Sequence, residues 1–392
     1  MPAVDQANRP PFACIALLLQ GGGALGAYQA GVYQGLAEAR IEPDWFAGIS
    51  VGAINAAIMA GNSPDKRVDR LRDFWEVITA HPWSNYAEQF ASLLARNGET
   101  RSFLNQASAA QALVTGVPGF FEPRVPPPYL YPPGTNGPTS YYDTKPLRAT
   151  LERLVDFDRI NAGKPRFSVG AVNVRTGNFV YFDNATHKIK PEHVMASGAL
   201  PPGFPAIEID GEFYWDGGLV SNTPLQWALE YGTRQDTLAF QVDLWSSRGA
   251  IPSNLSEVML RQKEIQYSSR TRAATDSFEK VQNLRHEIAK AIAKLPNDLL
   301  KLPEIASLED AVDHSVYNIV HLIYRSRQYE GDAKDYEFSR LSMEEHWRAG
   351  HHDATLTLHH PEIFERPAGR EGVFTFDIGR AQLKKEDRDE RE

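Results

Sequence analysis

The sequence predicts an α/β fold: a mostly parallel central sheet covered by helices, with a mainly helical extension toward the C-terminus. Three observations predict it. Residues 13–19 (ACIALLL) are a continuous apolar run, as expected of a strand buried on both faces. A helical pattern from Leu25 to about Ala39 follows, then a short strand from about Trp45 to Ile49 and the helix VGAINAAIMA. Strand, helix, strand, helix in that order implies parallel pairing beneath helices. A second buried strand, TLAFQVDLW, stands at 237–245.

The remaining elements follow in order. Val68, Leu71, Phe74, Trp75 and Ile78 recur at helical spacing and predict a helix over 64–80. Prolines and glycines crowd residues 117–146 and exclude a helix or a central strand, so this is a long surface loop, a lid or a linker. FSVGAVNV (167–174) and NFVYFD (178–183) read as a hairpin across Thr176-Gly177. A helix near 191–199 ends at the proline break PPGFP, and GEFYWDGG is a short strand closing on a glycine turn. Residues 255–295 are helical, and 316–325 read as one more strand. Ser342 and Glu345 suggest a capping box opening a helix through Trp347. The expected division is a tail over 1–12, a main domain over 13–245, an extension over 246–380 packed on it, and a disordered tail over 381–392 whose charges have no apolar anchor.

Composition narrows the function. The chain has 392 residues, 42% hydrophobic and 23% charged, which is ordinary globular usage. A net charge of −9 argues against nucleic acid as a partner. Cys14 is the single cysteine, so no intramolecular disulfide and no cysteine metal cluster can form. The run at 12–19 is too short to span a bilayer, and a cytoplasmic protein, at most peripheral to membranes, is expected. Between Arg261 and Lys294 eight Lys/Arg face four Asp/Glu, a local +4. LRHEIAKAIAKL within it is a basic amphipathic helix, read as a solvated face with membrane-surface contact as the alternative.

Three short motifs carry chemistry. Gly48-Ile49-Ser50-Val51-Gly52 is G-x-S-x-G between a strand and a helix. Its glycines permit a tight turn that lifts a serine hydroxyl out of the sheet. Gly21-Gly22-Gly23 follows the first strand directly, and backbone N–H groups in such a turn can meet developing negative charge. The same turn, read as Gly21-x-Gly23-x-x-Gly26 with Glu42 and Asp44 downstream, also fits a dinucleotide fingerprint. Asp216-Gly217-Gly218 places a carboxylate on a tight turn, either as a base for the serine proton or as an ordinary turn residue.

Together QGGGALGAYQAG, GISVGAINAA, ASGALPPGFP and WDGGLVSNTPL, in that order from Ile15 to about Leu225, resemble the patatin-like phospholipase family. The resemblance implies a three-layer α/β core and a serine hydrolase of acyl esters, with lipids as the expected substrates and no cofactor or metal. It implies Ser50 as nucleophile, Asp216 as base of a two-residue dyad, and Gly21, Gly22 and Gly23 as the oxyanion hole. Leu25 departs from the Arg or Lys that many members carry two residues after the glycine triplet. The stretch after about 245 resembles an extension found behind some bacterial patatin cores.

Alternatives remain at this level. A Ser-His-Asp triad would draw on His286, His314, His321, His346, His351, His352, His359 or His360, and the paired histidines also suggest a metal site. Beside a lipid acyl hydrolase stand an esterase for short soluble esters and a non-catalytic nucleotide or ligand binder. Oligomeric state has no signature in the sequence.

Overall fold

The computed structural model describes residues 9–80, 98–132, 138–230, 234–296, 298–309, 312–327, 329–366 and 372–379. The expected tail over 381–392 lies outside the described residues, as do residues 1–8 of the expected N-terminal tail and 133–137 of the proline-rich loop.

Strand β1 (Cys14–Leu19) runs into a glycine turn and helix α1 (Ala27–Glu38). Strand β2 (Trp45–Gly48) then leads through Ser50 to α2 (Val51–Ala60) and α3 (Pro64–Ile78). Helix α4 (Gly98–Thr115) precedes the proline-rich stretch. That stretch is tied at its ends by a two-stranded ribbon, β3 (Glu122–Pro123) with β4 (Tyr142–Asp143). After α5 (Lys145–Leu154) come β5 (Arg166–Asn173) and β6 (Phe179–Asp183), an antiparallel hairpin as expected. Helix α6 (Pro191–Ser197), β7 (Ile207–Ile209), β8 (Glu212–Asp216) and β9 (Thr237–Asp243) follow. The C-terminal region adds α7 (Leu255–Ile292), β10 (Tyr317–Ile323), α8 (Arg340–Leu358) and β11 (Val373–Phe376).

The strands form one sheet in the order β11-β10-β9-β1-β2-β5-β8-β7, with β6 on β5. The first six are parallel, and the pairs of β8 with β5 and β7 are antiparallel. Central β1 and β9 are buried throughout, which is why they read as mostly apolar runs rather than alternating ones. The sheet crosses the boundary expected at 245: β9 pairs with β10, and α7 lies in the crossover that a parallel neighbour requires. Helix α8 packs on α1 at backbone distance. A Cβ on Gly31 would fall 1.9 Å from the Trp347 carbonyl oxygen, and one on Gly350 would fall 2.0 Å from that of Tyr28.

Helix α8 begins earlier than its sequence signal. Its N-cap is Ser339, whose hydroxyl accepts the Ser342 N–H at 3.2 Å, so Ser342 is inside the first turn. Glu345 instead takes Arg101 and the Tyr329 hydroxyl, both at 3.1 Å, a long-range use that outcompetes a local capping box. Among the described residues no helix is long and apolar enough to cross a membrane.

Candidate active site

Ser50 sits where β2 becomes α2. Its φ of 56° is a left-handed conformation that costs a non-glycine residue energy. The flanking glycines are required by space. A Cβ on Gly48 would lie 2.2 Å from the Gly52 carbonyl oxygen, and one on Gly52 would lie 2.4 Å from that of Leu19. The elbow is therefore wedged against the end of β1. The Ser50 N–H donates to the Ser197 hydroxyl at 3.1 Å, which donates onward to the Gly170 carbonyl at 2.6 Å.

The sheet itself brings Asp216 to Ser50. Strand β2 ends with Gly48 opposite Val169, and β8 ends with Asp216 opposite Ala171, both on β5. Two residues along a strand span about 7 Å, so the ends of β2 and β8 stand at nearly the same level on the two sides of β5. Asp216 is 2% exposed, whereas Ser50 is only half-buried, so a reachable hydroxyl lies in front of a covered carboxylate. Burial pushes the Asp216 carboxyl up to about 7. Hydrogen bonds from the Gly218 N–H, at 2.7 Å, and from the Ser50 hydroxyl pull it back part of the way.

The glycine turn forms the third side. A Cβ on Gly21 would stand 3.0 Å from the Cβ of Ser50, so the turn borders the serine. The three glycines differ in what their N–H groups do. That of Gly21 donates to the Asn222 carbonyl at 3.2 Å, while those of Gly22 and Gly23 have no acceptor among the described residues. The Gly21 carbonyl accepts from Asn222 Nδ2 and from the Trp245 indole N–H, each at 3.0 Å. Gly23 has φ +55°, and a Cβ there would fall 2.0 Å from the Asp335 carbonyl oxygen, which also takes the Ala24 N–H at 2.8 Å. Behind the turn, Gln20 Oε1 accepts the N–H groups of Leu244 and Trp245, and Gln20 Nε2 donates to the Tyr267 carbonyl at 3.1 Å.

Ser50, Asp216 and the Gly21-Gly22-Gly23 turn thus lie together. Ser197, Asn222, Trp245 and Asp335 complete the surroundings without having been singled out by sequence. Ser197 and Asn222 lie within the quoted segments ASGALPPGFP and WDGGLVSNTPL, so the signal was present but pointed to no role. Trp245 and Asp335 have no local signature.

The histidines go elsewhere. His321 faces Asp243 at 3.5 Å, His346 faces Glu330 at 3.8 Å and His351 bonds Glu38 at 2.7 Å. His286, His359 and His360 contact Ser315, Thr355 and Glu362. No hydrogen bond or ion pair described for these six histidines reaches Ser50 or Asp216. The acidic residues of the dinucleotide pattern are engaged as well: Glu42 pairs with Arg67 at 2.6 Å, and Asp44 accepts the Ile15 N–H at 2.8 Å.

A family model described as patatin-like phospholipase matches residues 17–229. A second, described as patatin phospholipase, matches residues 265–370. Among solved structures the chain is similar to VipD from Legionella pneumophila, at 13% identity and TM-score 0.38, covering 95% of this chain and 73% of that one. It is also similar to full-length ExoU of Pseudomonas aeruginosa, solved in complex with SpcU, at 18% identity and TM-score 0.25, covering 77% and 61%. No curated protein matches it.

Proposed function

The chain belongs to the patatin-like phospholipase family, and from that premise we propose that it hydrolyses carboxylic esters of lipids with Ser50 as nucleophile and Asp216 as base. The observation that carries the reading is the pairing of a hydroxyl on a strained elbow with a buried carboxylate held up near neutrality. An ordinary carboxylate is too weak a base for a serine proton, and burial raises its proton affinity toward the working range.

Asp216 accepts the Ser50 proton as Oγ attacks the ester carbonyl carbon. The carbonyl oxygen becomes an oxyanion and takes the unengaged N–H groups of Gly22 and Gly23. The C–O bond to the alcohol breaks, and the departing oxygen takes the proton from Asp216. Water then attacks the acyl-serine, gives its proton to Asp216, and the fatty acid leaves as the proton returns to Ser50.

Lipid rather than short-ester specificity is supported by the apolar surroundings. Phe120, Phe121, Tyr142, Phe204 and Phe338 form one aromatic cluster, and Phe204 lies on the segment that starts beside Ser50 at Gly198. The proline-rich loop carries Val125 and Tyr129 at 91% and 75% exposure, apolar groups suited to touching a lipid surface. Nucleotide binding is disfavoured because the Asp335 carbonyl already fills the space over Gly23 and Ala24.

Ser50→Ala and Asp216→Asn are each expected to cut hydrolysis of a phospholipid panel by at least about a thousandfold, with the fold intact by circular dichroism. Turnover near the parent rate in either variant rejects the assignment. Nitrophenyl esters of rising chain length separate the lipid reading from the short-ester one. NAD calorimetry tests the binder.

A further inference from the structure

We infer that Lys334, from the region after the core, is a positioning residue for the oxyanion turn and acts through the indole of Trp245. The inference rests on the acyl-transfer reading of Ser50 and the glycine turn.

The argument begins at one peptide. The Gly21–Gly22 amide is planar and trans, so its carbonyl oxygen and the Gly22 N–H point in opposite directions. Whatever fixes that oxygen aims that N–H. Two donors fix it, Asn222 Nδ2 and Trp245 Nε1, each at 3.0 Å. Trp245 is therefore the far end of the donor that would meet the oxyanion.

Trp245 is itself held by the C-terminal region. Its ring packs against Tyr267 at 5.3 Å between centroids, and the Lys334 ammonium lies 5.0 Å from the ring centroid. Lys334 is 2% exposed, an unusual place for an ammonium, and is among the largest fully buried side chains in the protein. Its Nζ donates to Glu264 at 3.1 Å and to Ser326 Oγ at 2.5 Å. The charge is thus neutralised but locked over the indole. A cation on the ring face withdraws electron density and makes the indole N–H a better donor. Donors and acceptors in series polarise one another, so a stronger bond at the Gly21 carbonyl makes the Gly22 N–H more positive.

The next residue reaches the same turn by its backbone. The Asp335 carbonyl takes the Ala24 N–H at 2.8 Å. Lys263 of α7 anchors this segment, bonding the Asp332 carbonyl at 2.9 Å and Asp335 Oδ1 at 2.8 Å. Lys334 therefore reaches the turn through Trp245, and Asp335 reaches it through its own main-chain oxygen.

The test uses the full chain and hydrolysis of a nitrophenyl ester, with a double-mutant cycle over Trp245→Phe and Lys334→Met. Phenylalanine keeps a ring but removes the N–H, and methionine keeps the apolar stem but removes the charge. Each single variant is expected to lower kcat about tenfold with KM changed less than about twofold, as for an interaction made in the transition state. In the Trp245→Phe background, Lys334→Met should cause no further loss. The acid limb of the pH–rate profile should stay in place, because Asp216 is untouched. Wild-type kcat in Trp245→Phe, losses that multiply in the double variant, or a moved acid limb would each overturn the inference. Should Lys334→Met fail to fold, the same cycle is run with Lys334→Met/Glu264→Gln, which removes the buried pair together. Ser50→Ala separates the two claims. Hydrolysis surviving in it defeats the serine reading itself. Loss in it, with full activity in Trp245→Phe, leaves that reading standing and defeats this one.

Discussion

The elbow around Ser50 and the glycine turn at 21–23 face the same small space, yet they are held in opposite ways. The elbow is wedged chiefly by close packing, Gly48 against Gly52 and Gly52 against the end of β1, with Ser197 as a distant hydrogen-bond partner. The turn is held by residues far along the chain, Asn222, Trp245 and Asp335. A locally built feature announces itself in the sequence and depends little on distant parts. A feature held by remote contacts can show its own residues, as the three glycines do, but not its partners, and it inherits the stability of everything that grips it.

Three measurements break or sharpen that contrast. The largest effect is expected at Gly52→Ala, whose Cβ would stand 2.4 Å from the Leu19 carbonyl and 2.8 Å from that of Gln20. Two backbone oxygens cannot both yield, so a destabilisation above about 3 kcal/mol and loss of hydrolysis should appear together in urea melts and assays. Gly23→Ala comes next. Its clash is with the Asp335 carbonyl, which belongs to another region, and its φ of +55° adds strain of about 1 kcal/mol. It should lower kcat about a hundredfold while the core stays folded. Global unfolding of that variant would show that the turn and the core are one unit.

The third concerns Asp216, which stands between the two. Its carboxyl is raised to about 7 from an ordinary value near 3.8, so the folded chain holds the proton more tightly than the unfolded one between those values. Stability from this group is therefore fully present below about 4 and is lost as pH rises through 7. Activity should run the other way, rising with pH to a plateau above 7 as the base is freed. Asp216→Asn should be inactive and, at pH 8, more stable than the parent by about 2 kcal/mol in urea melts. A parent chain whose stability is flat across pH 4–8 would remove the buried-base account.

Much of the fold was legible because buried parallel strands read as apolar runs, unbroken at 13–19 and interrupted by a few polar residues at 237–245 and 316–325. The tight turns at Ser50, Asp216 and the three glycines stand out because their backbone geometry leaves few residue choices, while the roles expected of them come from the family resemblance. The rest was not legible, for a common reason. Ser197 meets Ser50 across 147 positions and Trp245 meets Gly21 across 224, and nothing beside either residue records the meeting. The start of α8 at Ser339 was missed since Ser342 and Glu345 offered an equally good local pattern whose acid is used by Arg101. Strand β11, four residues long, has too few positions to show a period.

The bond between the Asp335 carbonyl and Ala24 sets an order of events during synthesis. Domains fold from the N-terminus as they emerge, at roughly 5–20 residues per second. The strand and helix around Ser50 are complete near position 60, but the oxygen that seats the glycine turn arrives only with residue 335. For a period on the order of 15–50 s, a nascent chain therefore carries its serine without the seat for the charge it would create. On the proposed reading, a hydrolase wired in this way stays idle beside the lipids and ribosomes around it until residue 335 has been made.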